Sequence, residues 1–221
     1  LGASFALLNV ETFLSTGNKM NCSGSLSKPS KMPGFGYGLP ALTSCHVGSK
    51  LAKIPNSVCS KCYALKGCYQ FPVVKAAQAL RYLCIEDPRW VASMVDLIRR
   101  KRTKYFRWHD SGDIVSLSHL MQICEVAEQL PDFIFWLPTR ERKIVNTYRR
   151  LHGDFPSNLT VRLSAAMIDG APPVTDLCTS TVHRDKDPIG FACPASTQGN
   201  KCGLCRACWD KTVKNISYIE H

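Results

Sequence analysis

Residues 104–164 read KYFRWHDSGDIVSLSHLMQICEVAEQLPDFIFWLPTRERKIVNTYRRLHGDFPSNLTVRLS. Aromatic and β-branched residues crowd into three short runs, Lys104–Trp108, Phe133–Leu137 and Leu159–Ser164, and each reads as a strand. Between them, Ser116–Leu130 and Arg142–Leu151 carry apolar residues at helical spacing. Strand, helix, strand, helix, strand with short connections predicts a parallel sheet, whose crossovers are almost always right-handed. Upstream, Pro72–Glu86 reads as a helix with Val73, Val74, Ala77 and Leu80 on one face. Asp87-Pro88 restarts a second helix, with Asp as its cap and Val91, Met94, Val95 and Ile98 continuing it. Residues 1–44 read as irregular, apart from a short strand at Val10–Leu14. Gly34-Phe-Gly-Tyr-Gly38-Leu-Pro40 reads as a loop, and without G-K-[ST] or a following helix it is no phosphate loop.

The expected fold class is α/β: a partial, open β/α barrel with parallel strands and cysteine-rich, metal-binding loops. A complete eight-fold barrel takes about 250 residues, and this chain has 221. The expectation is a single domain over 1–221. It comprises an N-terminal loop region with cysteines (1–71), a βα core (72–185) and a C-terminal cysteine-rich segment (186–221).

Hydrophobic content of 45% with 20% charged residues excludes a disordered chain. No apolar run approaches the about 20 residues of a membrane span. The opening LGASFALLNVETFLSTGNK lacks the basic start of a signal peptide, so a cytoplasmic protein without a membrane partner is expected. The net charge of +11 leaves room for an anionic partner, nucleic acid included, and equally for an ordinary solvated surface. The densest basic runs are Arg99–Arg102 and Arg140–Lys143, with Arg149 and Arg150 beyond, and no nucleic-acid signature surrounds them.

Twelve cysteines in a chain this long argue less for a disulfide scaffold than for metal ligands. Near the C-terminus stands Cys193-Pro-Ala-Ser-Thr-Gln-Gly-Asn-Lys-Cys202-Gly-Leu-Cys205-Arg-Ala-Cys208-Trp. C-x2-C-x2-C with a separate Cys-Pro is the spacing of ferredoxin-type [4Fe–4S] binding. Zinc, which normally takes two well-separated C-x-x-C pairs, and plain buried thiols are the alternatives. A second group, Cys45, Cys59 and Cys62, gives C-x13-C-x2-C with Tyr63 next. Three ligands would leave one iron open to a substrate, although C-x-x-C alone also suits zinc or redox work. Cys68 reads as a neighbouring core thiol in preference to a fourth ligand. Cys22, Cys84, Cys124 and Cys178 stand apart and read as small apolar residues.

Chemistry in parallel α/β sheets gathers at the carboxyl ends of strands. There the sequence places His109, Asp110 and Asp113 after the first run, Arg140 and Glu141 after the second, and Arg162 within the third. His109, Asp110 and Asp113 suit proton transfer or binding of an ammonium group or metal. Arg140 and Arg162 suit a carboxylate or phosphate. Asp113 as a helix cap, and Arg140 with Glu141 as a surface pair, are the structural alternatives.

The segments CHVGSKLAKIPNSVCSKCYALKG, FRWHDSGD, FWLPTRE, VRLSA and CPASTQGNKCGLCRACW, in that order, resemble the phage-encoded gene product 88 family of uncharacterised proteins. The resemblance covers about residues 35–221 and implies a phage or prophage origin. More distantly, the chain resembles radical S-adenosylmethionine enzymes. That resemblance gives Cys45, Cys59 and Cys62 the three-cysteine role and makes Cys193, Cys202, Cys205 and Cys208 an auxiliary cluster. It also implies S-adenosylmethionine bound by Asp110, Ser111, Gly112 and Asp113. The gap of thirteen residues before Cys59 and the missing Gly-Gly-Glu element depart from that pattern. The expected function is an iron–sulfur enzyme of radical or sulfur-transfer type. It would act on a small-molecule or nucleic-acid-derived substrate and draw on an electron donor if redox-active. A non-catalytic electron-transfer or redox-sensing protein and a zinc-stabilised nucleic-acid module are the rivals.

Overall fold

The computed structural model describes residues 23–220. The Val10–Leu14 strand and Cys22 lie outside them. Seven strands form one all-parallel sheet: β1 (Phe35–Tyr37), β2 (Tyr105–Trp108), β3 (Ile134–Thr139), β4 (Leu159–Ile168), β5 (Cys178–His183), β6 (Phe191–Ala192) and β7 (Asn215–Ile219). Their order is β1-β2-β3-β4-β5-β7-β6, and the sheet is open. The helices are α1 (His46–Leu51), α2 (Pro72–Cys84), α3 (Trp90–Arg99), α4 (Leu117–Glu128) and α5 (Arg142–His152).

Local chemistry sets these elements. Ser116 caps α4 by accepting from the His119 amide at 3.1 Å. Leu120, Ile123, Cys124 and Ala127 then form its buried stripe. The last turn of α5 holds Arg149, Arg150 and His152 against the helix dipole, and Gly153 ends it at φ 81°.

Alternation along the strands separates two cores. On one face Phe106, Trp108, Phe135, Leu137, Leu159, Val161 and Leu163 pack with Trp90, Met94, Ile98, Leu120, Ile123, Val145 and Tyr148 from α3, α4 and α5. The opposite face is covered by the chain's own tail. There Trp136 and Ile216 pack with Cys208 and Trp209. The Trp209 indole donates to the Phe106 carbonyl at 2.9 Å, and Thr160 donates to the Trp209 carbonyl at 2.7 Å.

The structure departs from the sequence reading in four places. Gly34–Pro40 contains an edge strand, β1, instead of being all loop. Its glycines mark close approach rather than disorder. A Cβ on Gly38 would stand 2.7 Å from an Asp110 carboxylate oxygen. On α2 the buried positions are polar, Gln78 and Arg81, while Val73 is exposed. Gln78 donates to Ser111 Oγ at 2.7 Å, and Arg81 donates to the Ser25 and Gly38 carbonyls at 2.6 and 3.1 Å. Satisfied polar groups thus took the inward face that the apolar spacing had assigned to valines. Asp87 lies ahead of a helix that begins at Trp90, and its carboxylate accepts from the Arg89 amide at 2.8 Å. β4 runs past Ser164 to Ile168, because its end bonds a cysteine loop: Ser57 bridges Met167, and the Ile168 amide donates to Asn56 O at 2.9 Å.

Candidate thiol centres at the sheet

The first cysteine group sits at the carboxyl ends of β2, β3 and β4. Cys45 occupies the cap position of α1, and Cys59 lies in a 3-10 turn capped by Ser57. Gly48 is the floor between them. A Cβ there would meet Cys45 Cβ at 2.9 Å and Cys59 Sγ at 3.5 Å. Cys45, Cys59 and Cys62 lie within electrostatic reach of one another. Burial, then Asp113, pushes the Cys45 thiol up to about 12. Burial also raises Cys59, against the pull of Arg140.

The strand-end residues close around this group. Asp113 accepts from Thr139 Oγ1 at 2.6 Å, from the Arg140 amide at 2.9 Å and from the Ile114 amide at 2.8 Å. Burial outweighs those bonds and lifts its carboxyl to about 6. The helix-cap role weighed for Asp113 belongs to Ser116. Glu141 Oε1 accepts from the Val47 amide at 2.7 Å and so ties α1 to the end of β3. It is buried, so the surface-pair alternative does not describe it. The Arg140 Nε is buried and without a hydrogen-bond partner.

His109 holds φ 54°, a left-handed backbone that non-glycine residues seldom adopt. It is buried, with neither ring nitrogen bonded, and its ring stands 5.4 Å from that of His119. Burial holds both imidazoles neutral, well below the usual histidine range for His109 and down to about 3 for His119. Asp110 is engaged by the protein. Its carboxylate accepts from Ser27 at 2.9 Å and Tyr69 at 3.4 Å, and its carbonyl from Tyr63 at 2.6 Å. Ser111 donates to the Leu39 carbonyl at 2.8 Å. Gly112 holds φ 78°, and a Cβ there would lie 2.6 Å from Leu39 Cβ. In this segment Ser111 and Gly112 join the β2 end to the β1 end.

The second group lies on the tail-covered face. Gly203, at φ 52°, turns the chain between Cys202 and Cys205. The Cys202 amide donates to Lys31 O and the Cys193 amide to Ser217 O, both at 2.9 Å. Cys202 is an electrostatic neighbour of Cys193 and Cys205, and Cys208 of Cys193. Cys208 Sγ stands 3.2 Å from Tyr218 Oη, and burial pushes its thiol up to about 12. Arg162, fully buried, directs five hydrogen bonds to the carbonyls of Cys208, Thr179, Val213, Ala207 and Asp210. A guanidinium has five N–H donors, so Arg162 is committed to clamping 207–213 and keeps none for a carboxylate or phosphate substrate.

None of the seven cysteines in these groups forms a disulfide, nor does Cys68, which is exposed and therefore no core thiol. Cys124 and Cys178 are buried, in keeping with an apolar role. Among the described residues, no three His, Cys, Asp or Glu side chains gather closely enough to hold a single metal ion. Nor is any described helix long and apolar enough to cross a membrane. The sequence reading missed Arg107, His119, Trp136 and Tyr218. Arg107, Trp136 and Tyr218 hide in ordinary strand patterns, and only the pairing of β2 with β3 and of β5 with β7 brings them to the tail face; His119 hides in the pattern of α4, whose packing sets its ring against His109.

An α/β protein with one open parallel sheet and a thiol group on each of two sides of it is thereby defined. Residues 12–211 match the family model described as Gene product 88, and the chain belongs to that family. No curated protein and no solved structure shows a significant match to it.

Proposed function

We propose that the protein is an iron–sulfur protein and that the carboxyl ends of its strands work as an active site. The carrying observation is that Cys193 and Cys208 pack in one apolar cluster on the sheet face under the Arg162 clamp, with Cys202 and Cys205 joined in the turn that leads into it. In a [4Fe–4S] cluster each thiolate takes its own iron, so the four sulfurs need not converge on one point as they must around zinc. The donor chemistry fits in a second respect. Each group has a part-buried arginine whose buried Nε lacks a partner, Arg140 beside Cys59 and Arg107 beside Cys202 and Cys208. A buried N–H without an acceptor is costly, and cluster sulfur is an acceptor of the right charge. With two clusters, one held by three thiolates, the net charge of +11 would fall to about +8.

A bound cluster would supply one-electron transfer or, at an iron lacking a cysteine, a Lewis-acid position. Around Cys45, Cys59 and Cys62 the chain's own contribution is the Asp113 carboxyl and the Arg140 guanidinium, with Glu141 holding α1 in place. S-adenosylmethionine as the co-substrate, the radical or sulfur-transfer reaction type, a phage origin and a cytoplasmic setting rest on the sequence pattern alone. The test is anaerobic purification with iron, sulfide and zinc counted per chain. A brown protein with equal iron and sulfide supports the reading. A colourless, folded protein with no iron, or with stoichiometric zinc, overturns it. A change in the reduced cluster's paramagnetic signal on adding S-adenosylmethionine would support the finer reading, and an unchanged signal at saturation would remove it.

A further inference from the structure

Arg107 lies on β2 among the tail-facing residues, and nothing in the sequence marks it. Its guanidinium stacks on the Trp136 ring, 4.5 Å from the centroid. One Nη donates to Tyr63 Oη at 3.2 Å, and the other reaches Met32 Sδ at 3.9 Å. The Nε is buried with no partner. No salt bridge neutralises it among the described residues. On one side the Trp136 ring that it covers packs with Cys208 and Cys193, and on the other its Nη reaches Tyr63, whose hydroxyl also bonds the Asp110 carbonyl. Tyr63 directly follows Cys62 in the chain. One guanidinium therefore stands between the two thiol groups, joined to the first through Tyr63 and to the second through Trp136.

We propose that Arg107 is a positioning residue shared by the two centres, with its Nε donating to the sulfur of the C-terminal cluster and its fixed charge compensating that cluster's reduced state. The proposal rests on the iron–sulfur reading. Reduction adds negative charge to the cluster, and a cation with an N–H aimed at its sulfur favours the reduced form. Trp136 fixes the plane of the guanidinium, and Tyr63 fixes its far end. The Tyr63 contact also makes the tail centre sensitive to the position of the Cys59–Cys62 turn.

The test is the reduction potential of the C-terminal cluster in full-length, anaerobically reconstituted protein, read in a Cys59→Ser background so that the other group does not contribute. Arg107→Gln should lower the equilibrium constant for one-electron reduction about tenfold, about 59 mV, with iron content unchanged. Arg107→Lys keeps the charge and loses the Nε donor, so it should fall between wild type and Arg107→Gln. Tyr63→Phe should give a smaller drop of the same sign. Should Arg107→Gln fail to take up iron, Arg107→Lys carries the measurement. Loaded variants with wild-type potentials overturn the proposal while leaving the iron–sulfur reading intact. Wild-type protein that takes up no iron overturns both.

Discussion

The two cysteine groups sit on the same sheet in opposite circumstances. Cys193, Cys202, Cys205 and Cys208 belong to a segment laid on a strand face, where Arg162 spends every donor on backbone carbonyls and Trp209 completes a small core. Cys45, Cys59 and Cys62 belong to loops beyond the strand ends, beside a carboxyl raised to about 6 and an unpaired Arg140 Nε, and the β2 end adds a left-handed His109. Both surroundings keep buried N–H groups without an acceptor, Arg107 Nε and Trp136 Nε1 on the tail face and Arg140 Nε at the strand ends, but only the strand ends add a left-handed His109 and a raised carboxyl. Strained backbone and perturbed carboxyls gather where proteins do chemistry, so the difference points the active-site proposal at the strand ends and not at the tail face.

The largest test of that contrast is removal of single ligands. Cys208→Ser should abolish the iron of the tail group and spare the other, whereas Cys59→Ser should do the reverse, as read by iron counting and paramagnetic signals. Equal loss in both variants would mean a single shared centre. Arg162→Met comes next. It strands five carbonyls, and denaturant unfolding should show a loss of at least about 3 kcal/mol, with the tail iron lost alongside. A stability within experimental scatter of wild type would remove the clamp from the account.

The strand-end side should show itself through pH. His119 and His109 ionise less readily folded than unfolded, so their stabilising effect is complete above about 6.5 and is lost as pH falls toward about 3. Asp113 acts oppositely. Its burial weighs on the fold above about 6, and that cost is relieved as pH falls toward the ordinary carboxylate range. His119→Phe should therefore recover about 2–3 kcal/mol relative to wild type at pH 4 and little at pH 7, measured by denaturation at both pH values. An equal difference at the two values would contradict the neutral burial of His119. The smallest effect belongs to Glu141→Gln, which keeps an acceptor for Val47 but loses its charge. About 1 kcal/mol or less is expected, seen as faster amide exchange at the start of α1.

The βα core was readable because its signal is local. Phe106, Phe135 and Val161 alternate with polar or aromatic neighbours, and Leu120, Ile123 and Ala127 recur at helical spacing, so β2, β3, β4, α4 and α5 all stand within a few residues of their expected bounds. β1, β5, β6 and β7 left weaker marks. β1 is three residues among glycines, and β5 is a run of threonine and serine whose burial depends on β4 and β7 beside it. The cysteine groups were legible from spacing, because a tight loop of thiols advertises itself. Arg162 was read for its residue type, and its actual partners lie 17 to 51 residues away in the chain. Arg107 and His119 carry no motif at all. Arg107 owes its significance to which strands become neighbours and His119 to how α4 packs on the sheet, and both are properties of the assembled fold.

The tail that seals the second face has a consequence for biosynthesis. A ribosome makes residues 207–216 only after β2, β3 and β4. Until then Trp136 stays wet, and Arg162, placed to hold five carbonyls, has none of its three chief partners from 207–210. A nascent chain stalled before Ala207 is thus half a sandwich with a bare aromatic face, a natural substrate for chaperones.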